Sequence, residues 1–120
     1  MEVPILKQGE VLIATIQAAL ADADLLQFRR ALLQQVVRCR SMGVIVDVTS
    51  LDVLDSFASR TLREIAQMIR LRGAEMVIVG IQPEVAFAMV QMGVTLEHVA
   101  TALDLEEGLA RLNQKFEHAS

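Results

Sequence analysis

The stretch Asp47-Val-Thr-Ser-Leu-Asp52-Val-Leu-Asp55-Ser56-Phe57 gathers more potential chemistry than any other part of the chain, with three carboxylates interleaved with hydroxyls. It begins within the β-branched run Val44 to Val48 and leads into a helical pattern. It therefore occupies the carboxyl end of a strand, where open α/β proteins place functional groups. Ser56 is the residue to weigh. One reading makes Asp55 or Ser56 the N-cap of the next helix, contributing ~1 kcal/mol through a side-chain oxygen on a first-turn N–H. The other makes Ser56 a phosphorylation site, because the dipole and open N–H groups of a helix start favour a phosphate. The two readings are compatible. Ser59, one turn further on, is a weaker candidate for the same modification, and Thr49 and Ser50 read as turn residues.

A metal-dependent aspartyl phospho-acceptor is a third reading of Asp47, Asp52 and Asp55. The acidic pair such a domain carries after its first strand is absent here, and Asp52 and Asp55 then read as turn residues. Nucleophilic catalysis fares worse. His98 and His118 fall at no evident strand end; His98 reads as structural and His118 as part of the tail. Cys39 lies on an apolar helix face, as a small core hydrophobe does. The sequence contains no GxGxxG, no Walker A and no CxxC motif. No catalytic residue, metal or cofactor is expected.

The elements that must position Ser56 follow from periodicity. Ile5 to Lys7 and Val11 to Ile16 read as a hairpin closed by Gln8-Gly9-Glu10. A helix is expected from about Leu25 to Arg40, with Leu25, Phe28, Leu32, Val36 and Cys39 facing inward, Asp22 or Asp24 as N-cap and Gly43 as terminator. Val44 to Val48 suits a strand buried on both faces of a mostly parallel sheet. A helix from Ser56 to about Arg72 follows, apolar along Ala58, Leu62, Ile65 and Ile69 and ended by Gly73. Glu75 to Val79 is the next strand. A short helix then opens at Pro83 and closes at Gly93. Its inward stripe is Val85, Ala88, Met89 and Met92, while Phe87 and Val90 point outward. Phe87, Met89 and Val90, with Met92, mark it as a candidate assembly surface. A weak edge strand near His98 to Ala102 precedes a last helix, opened by Asp104-Leu105-Glu106-Glu107 in the manner of a capping box. The order ββαβαβαβα specifies a single α/β domain over residues 1–120, a mixed, mostly parallel sheet covered by helices.

Composition narrows the function. The 120 residues are 53% hydrophobic, yet aromatics amount to four Phe with no Trp or Tyr, so stacking platforms for single-stranded nucleic acid are hard to build. Eleven basic against fifteen acidic side chains leave a net charge of −4, without the basic patch of a nucleic-acid binder. Mean hydropathy is +0.44. The apolar runs are nevertheless far shorter than the ~20 residues of a membrane span. The first ten residues lack the basic and apolar regions of a signal peptide. With one Cys, no internal disulfide can form, as suits a reducing cytoplasm. The apolar surplus points to oligomerisation.

Pro4-Ile-Leu-Lys7, the Val44-Ile-Val-Asp-Val-Thr-Ser50 run, Asp55-Ser56-Phe57, Gly80-Ile-Gln-Pro83 and Ala102-Leu-Asp-Leu-Glu106 together resemble the STAS domain family along nearly the whole chain. Within it the chain is similar to the RsbS-type scaffolds of bacterial stressosomes. Related anti-sigma factor antagonists usually carry Asp-Ser-Ser/Thr-Gly where this chain has Asp55-Ser56-Phe57-Ala58, and that departure favours the scaffold subfamily. The resemblance implies a non-enzymatic phospho-switch. A serine kinase of GHKL type would phosphorylate Ser56, and a PP2C-like phosphatase would reset it. The scaffold would co-assemble with sensory STAS paralogues of the RsbR type into a large hetero-oligomeric shell that sequesters the kinase, and phosphorylation would free the kinase to activate a sigma-factor cascade. Asp52, Asp55, Phe57 and Arg60 would then surround the phosphosite and form the docking surface. The loop threonine that is phosphorylated in the sensory paralogues has no counterpart near Asp22 and Asp24, so no second phosphosite is expected there. The alternative within the family is an anti-sigma factor antagonist that binds an anti-sigma kinase as a monomer or dimer.

Overall fold

The computed structural model describes residues 2–119, and side chains over residues 2–117, so the His118 side chain lies outside the described residues. The chain runs β1 (Ile5–Gln8), β2 (Val11–Thr15), α1 (Asp22–Cys39), β3 (Gly43–Asp47), α2 (Ser56–Leu71), β4 (Glu75–Val79), α3 (Pro83–Gln91), β5 (Ala100–Ala102) and α4 (Leu105–Ala119). The five strands form one sheet in the order β1-β2-β3-β4-β5. β1 is antiparallel to β2, and the remaining pairs are parallel. This is the expected mixed α/β architecture.

Strand alternation divides the core in two. Leu12, Ala14, Val44, Val46, Met76 and Ile78 face a layer built from Phe28, Leu32 and Val36 of α1, Leu62, Ile65 and Ile69 of α2, and Val85 and Met89 of α3. Val11, Ile13, Ile45, Val77 and Val79 face the other way, against Leu112 of α4 with Leu105, Leu109 and Phe116 around it. β3 and β4 are thus covered on both sides, which is why their sequences are continuous apolar runs. α2 belongs to the three-helix layer, and its amino terminus emerges from the end of β3.

Several boundaries differ from expectation, for local reasons. α1 begins at Asp22, with Ala21 as N-cap and no side-chain cap; Asp22 and Asp24 lie inside the first turn, where their charge faces the positive end of the dipole. α1 is not terminated by Gly43. Arg40 takes the left-handed conformation that ends the helix (φ 49°), and Gly43 opens β3 instead. A Cβ at Gly43 would come within 2.9 Å of Leu112, so the missing side chain serves the approach of α4 to the sheet. β5 is shorter than expected, and His98 stands before it at φ 65°. Its carbonyl accepts a hydrogen bond from Arg70 Nη2 at 2.8 Å, so its role is structural, through the main chain.

Candidate functional site

The link from β3 to α2 is a pinned loop. Asp47 Oδ1 accepts hydrogen bonds from Thr49 N (2.9 Å) and Thr49 Oγ1 (2.6 Å), closing a turn immediately after the strand. Leu51 and Leu54 are buried in the core, while Asp52 and Val53 between them face solvent. The loop is braced from the neighbouring crossover as well. Gln82 Nε2 donates to the Thr49 carbonyl at 2.5 Å. Gly80, at φ 82°, packs so closely on Thr49 that a Cβ there would collide with its hydroxyl. Thr49, Gly80 and Gln82 are the site residues that sequence reasoning misses as a group. They are brought together because β3 and β4 are adjacent parallel strands.

Asp55 caps α2: its Oδ1 accepts from Ala58 N at 2.8 Å and its main-chain carbonyl accepts from Ser59 N at 2.9 Å. Ser56 is the first residue of the helix and is exposed. The expectation of either Asp55 or Ser56 as cap thus resolves to Asp55, and the Ser56 hydroxyl is spared that task. The first-turn N–H groups of Ser56 and Phe57 precede any possible intrahelical acceptor. Phe57 is half-buried, and the Arg60 guanidinium lies 5.7 Å from its ring centroid. Asp52, Asp55, Ser56 and Arg60 are all exposed around this helix start. A shallow apolar cleft lies beside them, lined by Ala19, Leu20 and Leu25 on one side and by Val53, Asp55 and Ala58 on the other. Ala19 and Val53 extend the surface beyond the residues picked out from sequence.

Ser59 is the clearest correction. It is 0% exposed, and its Oγ has no hydrogen-bond partner among the described residues. A kinase cannot reach it in the folded domain. The three carboxylates do not assemble a metal site either: among the described residues no three His, Cys, Asp or Glu side chains are grouped to hold an ion. Cys39 is half-buried, with its Sγ 3.6 Å from Gln35 Oε1 and its carbon atoms against the core.

The candidate assembly surface on α3 is only partly as expected. Phe87 and Val90 are 65% and 78% exposed, and Met92, expected to point inward, is exposed beyond the helix end. Met89 is 6% exposed and belongs to the core. It packs beside Val85 one turn earlier, so its side chain is unavailable to a partner.

These features define a small α/β domain in which an exposed serine, free of any capping role, opens a helix at the end of a central strand. A family model for the STAS domain matches residues 2–108, and the chain belongs to that family. A serine-to-glutamate variant of RsbS from Moorella thermoacetica is 34% identical, superposes with a TM-score of 0.83, and covers 98% of this chain and 99% of its own. A chain in the structure of the stressosome, described as a signal integration and transduction hub, is 33% identical with a TM-score of 0.76, covering 94% of this chain and 98% of that one. The RsbT co-antagonist protein RsbRA of Bacillus subtilis (strain 168) is 35% identical over 78 residues, 65% of this chain but 28% of that relative's length. The anti-sigma factor antagonist SpoIIAA, at 11% identity and a TM-score of 0.70 over 93% of this chain and 97% of its own, shares the fold. No helix among the described residues is long and apolar enough to cross a membrane.

Proposed function

We propose that this protein is a non-enzymatic scaffold of a bacterial stressosome and that Ser56 is its phospho-switch. The observation that carries the reading is the division of labour at the start of α2, where Asp55 supplies the cap and leaves Ser56 exposed and unneeded for it. In this reading a cytoplasmic serine kinase of GHKL type docks over Asp52, Asp55, Phe57 and Arg60, and a PP2C-like phosphatase resets the serine. RsbR-type sensory paralogues complete a large hetero-oligomeric assembly, with Phe87 and Val90 of α3 as the contact surface. Likeness to RsbS, to the stressosome chain and to RsbRA supports this choice over a free anti-sigma factor antagonist.

The physics of the switch is electrostatic. Phosphate would bring about −1.5 to −2 charges to a helix start already bearing Asp52 and Asp55. A partner seated against the unmodified hydroxyl would have to bury that phosphate without a matching cation, and a buried uncompensated charge costs about 3–5 kcal/mol. About 3 kcal/mol is a hundredfold in affinity. The test is kinase retention by Ser56→Asp and Ser56→Ala, paired with phosphopeptide mapping of the protein from its own cells before and after stress. Ser56→Asp is expected to weaken retention about a hundredfold while Ser56→Ala retains the kinase. Equal retention by both, or no stress-dependent phosphate on Ser56, rejects the switch.

A further inference from the structure

β3 and β4 are adjacent and parallel, so the crossover that leaves β4 passes beside the loop that leaves β3. Gln82 stands at that crossing. Its main chain belongs to α3: it occupies the N-cap position, and its carbonyl accepts from Ala86 N at 2.9 Å. Its side chain does not cap the helix. Short side chains with an oxygen are preferred at an N-cap because they accept from a first-turn N–H. The Gln82 amide turns away from that task, and its Nε2 donates to the carbonyl of Thr49, 33 residues earlier in the chain. We propose that Gln82 is a positioning residue for kinase recognition of Ser56, holding the β3–α2 loop so that Asp52 and Val53 are presented beside the serine. The inference rests on the phospho-switch reading of Ser56 and adds to it a residue from another crossover.

The anchor is firm on its own side. Pro83 confines the residue before it to extended backbone, and Gln82 lies there, at φ −65° and ψ 147°. Val85 and Met89 fix the inner face of α3 in the core. Gly80 carries no side chain that would hold the crossover off Thr49. On the loop side, Thr49 is held at each of its polar groups: its N–H and hydroxyl donate to Asp47 Oδ1, and its carbonyl accepts from Gln82. Among the described residues, no other side chain from beyond β3 and α2 hydrogen-bonds this loop. Leu51 N then donates to the Val48 carbonyl at 3.0 Å, and Leu51 is buried, so the fixed point at Thr49 sets where the chain returns to the core. Asp52 and Val53 form the exposed crest between Leu51 and Leu54.

Ser56 itself is held by other means. It opens α2, whose Leu62, Ile65 and Ile69 are buried, directly after the Asp55 cap. Removing the Gln82 amide therefore frees the crest, including Val53 in the wall of the cleft beside Ser56, and leaves the serine in place. In the transfer the Ser56 Oγ forms a bond to the γ-phosphorus of ATP, the bond from that phosphorus to ADP breaks, and the hydroxyl proton passes to a base of the kinase. Gln82 takes no part in that step. Its loss lowers the fraction of molecules whose crest is in the conformation the kinase binds, and the apparent dissociation constant rises by the inverse of that fraction. One intramolecular hydrogen bond of ordinary strength corresponds to about a fivefold change. The signature is thus a raised KM with kcat unchanged.

The test is steady-state phosphorylation of the full chain by the purified GHKL-type serine kinase with ATP, read as KM and kcat for the protein substrate. Gln82→Met and Gln82→Ala remove the donor, the first with the length of the side chain kept, and Gln82→Lys restores a donor that reaches as far. Urea denaturation verifies that each substrate is folded under the assay conditions, so that unfolded protein does not alter KM. Gln82→Met and Gln82→Ala are expected to raise KM about fivefold at unchanged kcat, and Gln82→Lys to return it close to the parent value. Amide hydrogen exchange, measured without the kinase, is expected to quicken over residues 51–53 and to stay as in the parent along the buried face of α2. An unchanged KM, a loss confined to kcat, equal losses in Gln82→Met and Gln82→Lys, or unaltered exchange in the loop overturns the proposal. A parent that takes no phosphate on Ser56 rejects the switch and this proposal with it. Phosphate on Ser56 with a KM indifferent to residue 82 overturns this proposal alone.

Discussion

The guanidinium of Arg60 stands over the ring of Phe57, 5.7 Å from its centroid, about one turn beyond Ser56 on the same helix. An exposed contact of this kind is worth about 0.5–1 kcal/mol. A phosphate on Ser56, four residues before Arg60, is a stronger attractor for the guanidinium than a ring face. In the proposed switch Arg60 would therefore partly neutralise the added charge and soften the response. In an Arg60→Ala background the ratio of kinase affinities between Ser56→Ala and Ser56→Asp should grow by about 2- to 5-fold, corresponding to that contact's range. Titration of the four proteins with the kinase measures it as a double-mutant cycle. An unchanged ratio would show that Arg60 does not act on the phosphosite.

Asp55 and Ser56 are neighbours with separable roles. Asp55→Ala removes the hydrogen bond to Ala58 N and should cost about 1 kcal/mol, lowering the Tm by about 4 °C. Ser56→Ala removes an exposed hydroxyl that does no capping and should stay within about 0.5 kcal/mol of the parent. Urea denaturation of both proteins decides the matter. A larger loss for Ser56→Ala would return the cap to Ser56 and weaken its reading as a phosphosite.

The start of α2 is legible in the sequence because two local signals coincide there: an acidic cap residue and the onset of the Leu62, Ile65, Ile69 stripe. β3 and β4 are legible for the same kind of reason, since a strand covered on both faces has no polar alternation to confuse it with a surface strand. The brace behind the site is not. Gln82 and Thr49 are 33 residues apart, and only the adjacency of two strand ends joins them. Helical periodicity carried past Gln91 turns Met92 inward, but the helix stops at Gln91 and Met92 is free to face solvent. Residue type puts Met89 on a surface, although its spacing from Val85 already places it inside. Ser59 deceives for the opposite reason: a polar side chain on the flank of an amphipathic helix reads as exposed until the neighbouring elements close over it.

Ser59 makes a prediction of its own. A buried hydroxyl without a partner carries an uncompensated desolvation cost of about 1–3 kcal/mol. Ser59→Ala removes that hydroxyl and leaves a side chain of nearly the same volume, so it should be neutral or stabilising in thermal denaturation. It should also leave phosphate incorporation intact under the proposed switch, in which the modified hydroxyl is that of Ser56. A loss of more than about 1 kcal/mol would reveal a hydrogen bond at Ser59 that the side-chain geometry does not contain.

Met89 and Phe87 sit two residues apart on α3 and should fail in opposite ways. Met89 is buried beside Val85, and Met89→Ala should cost about 2–5 kcal/mol through lost transfer energy and the cavity left behind. Co-assembly with an RsbR-type paralogue should persist in the fraction that stays folded. Phe87 projects into solvent, so Phe87→Glu should leave the denaturation midpoint nearly unchanged while removing the aromatic ring proposed as an assembly contact. Its expected phenotype is a folded domain with a far smaller assembly mass by light scattering. The contrast is informative because instability alone would reduce assembly in both variants, whereas a surface contact spares stability in one and not in the other. If Phe87→Glu folds and assembles like the parent, α3 is no part of the interface, and its exposed apolar residues need another explanation.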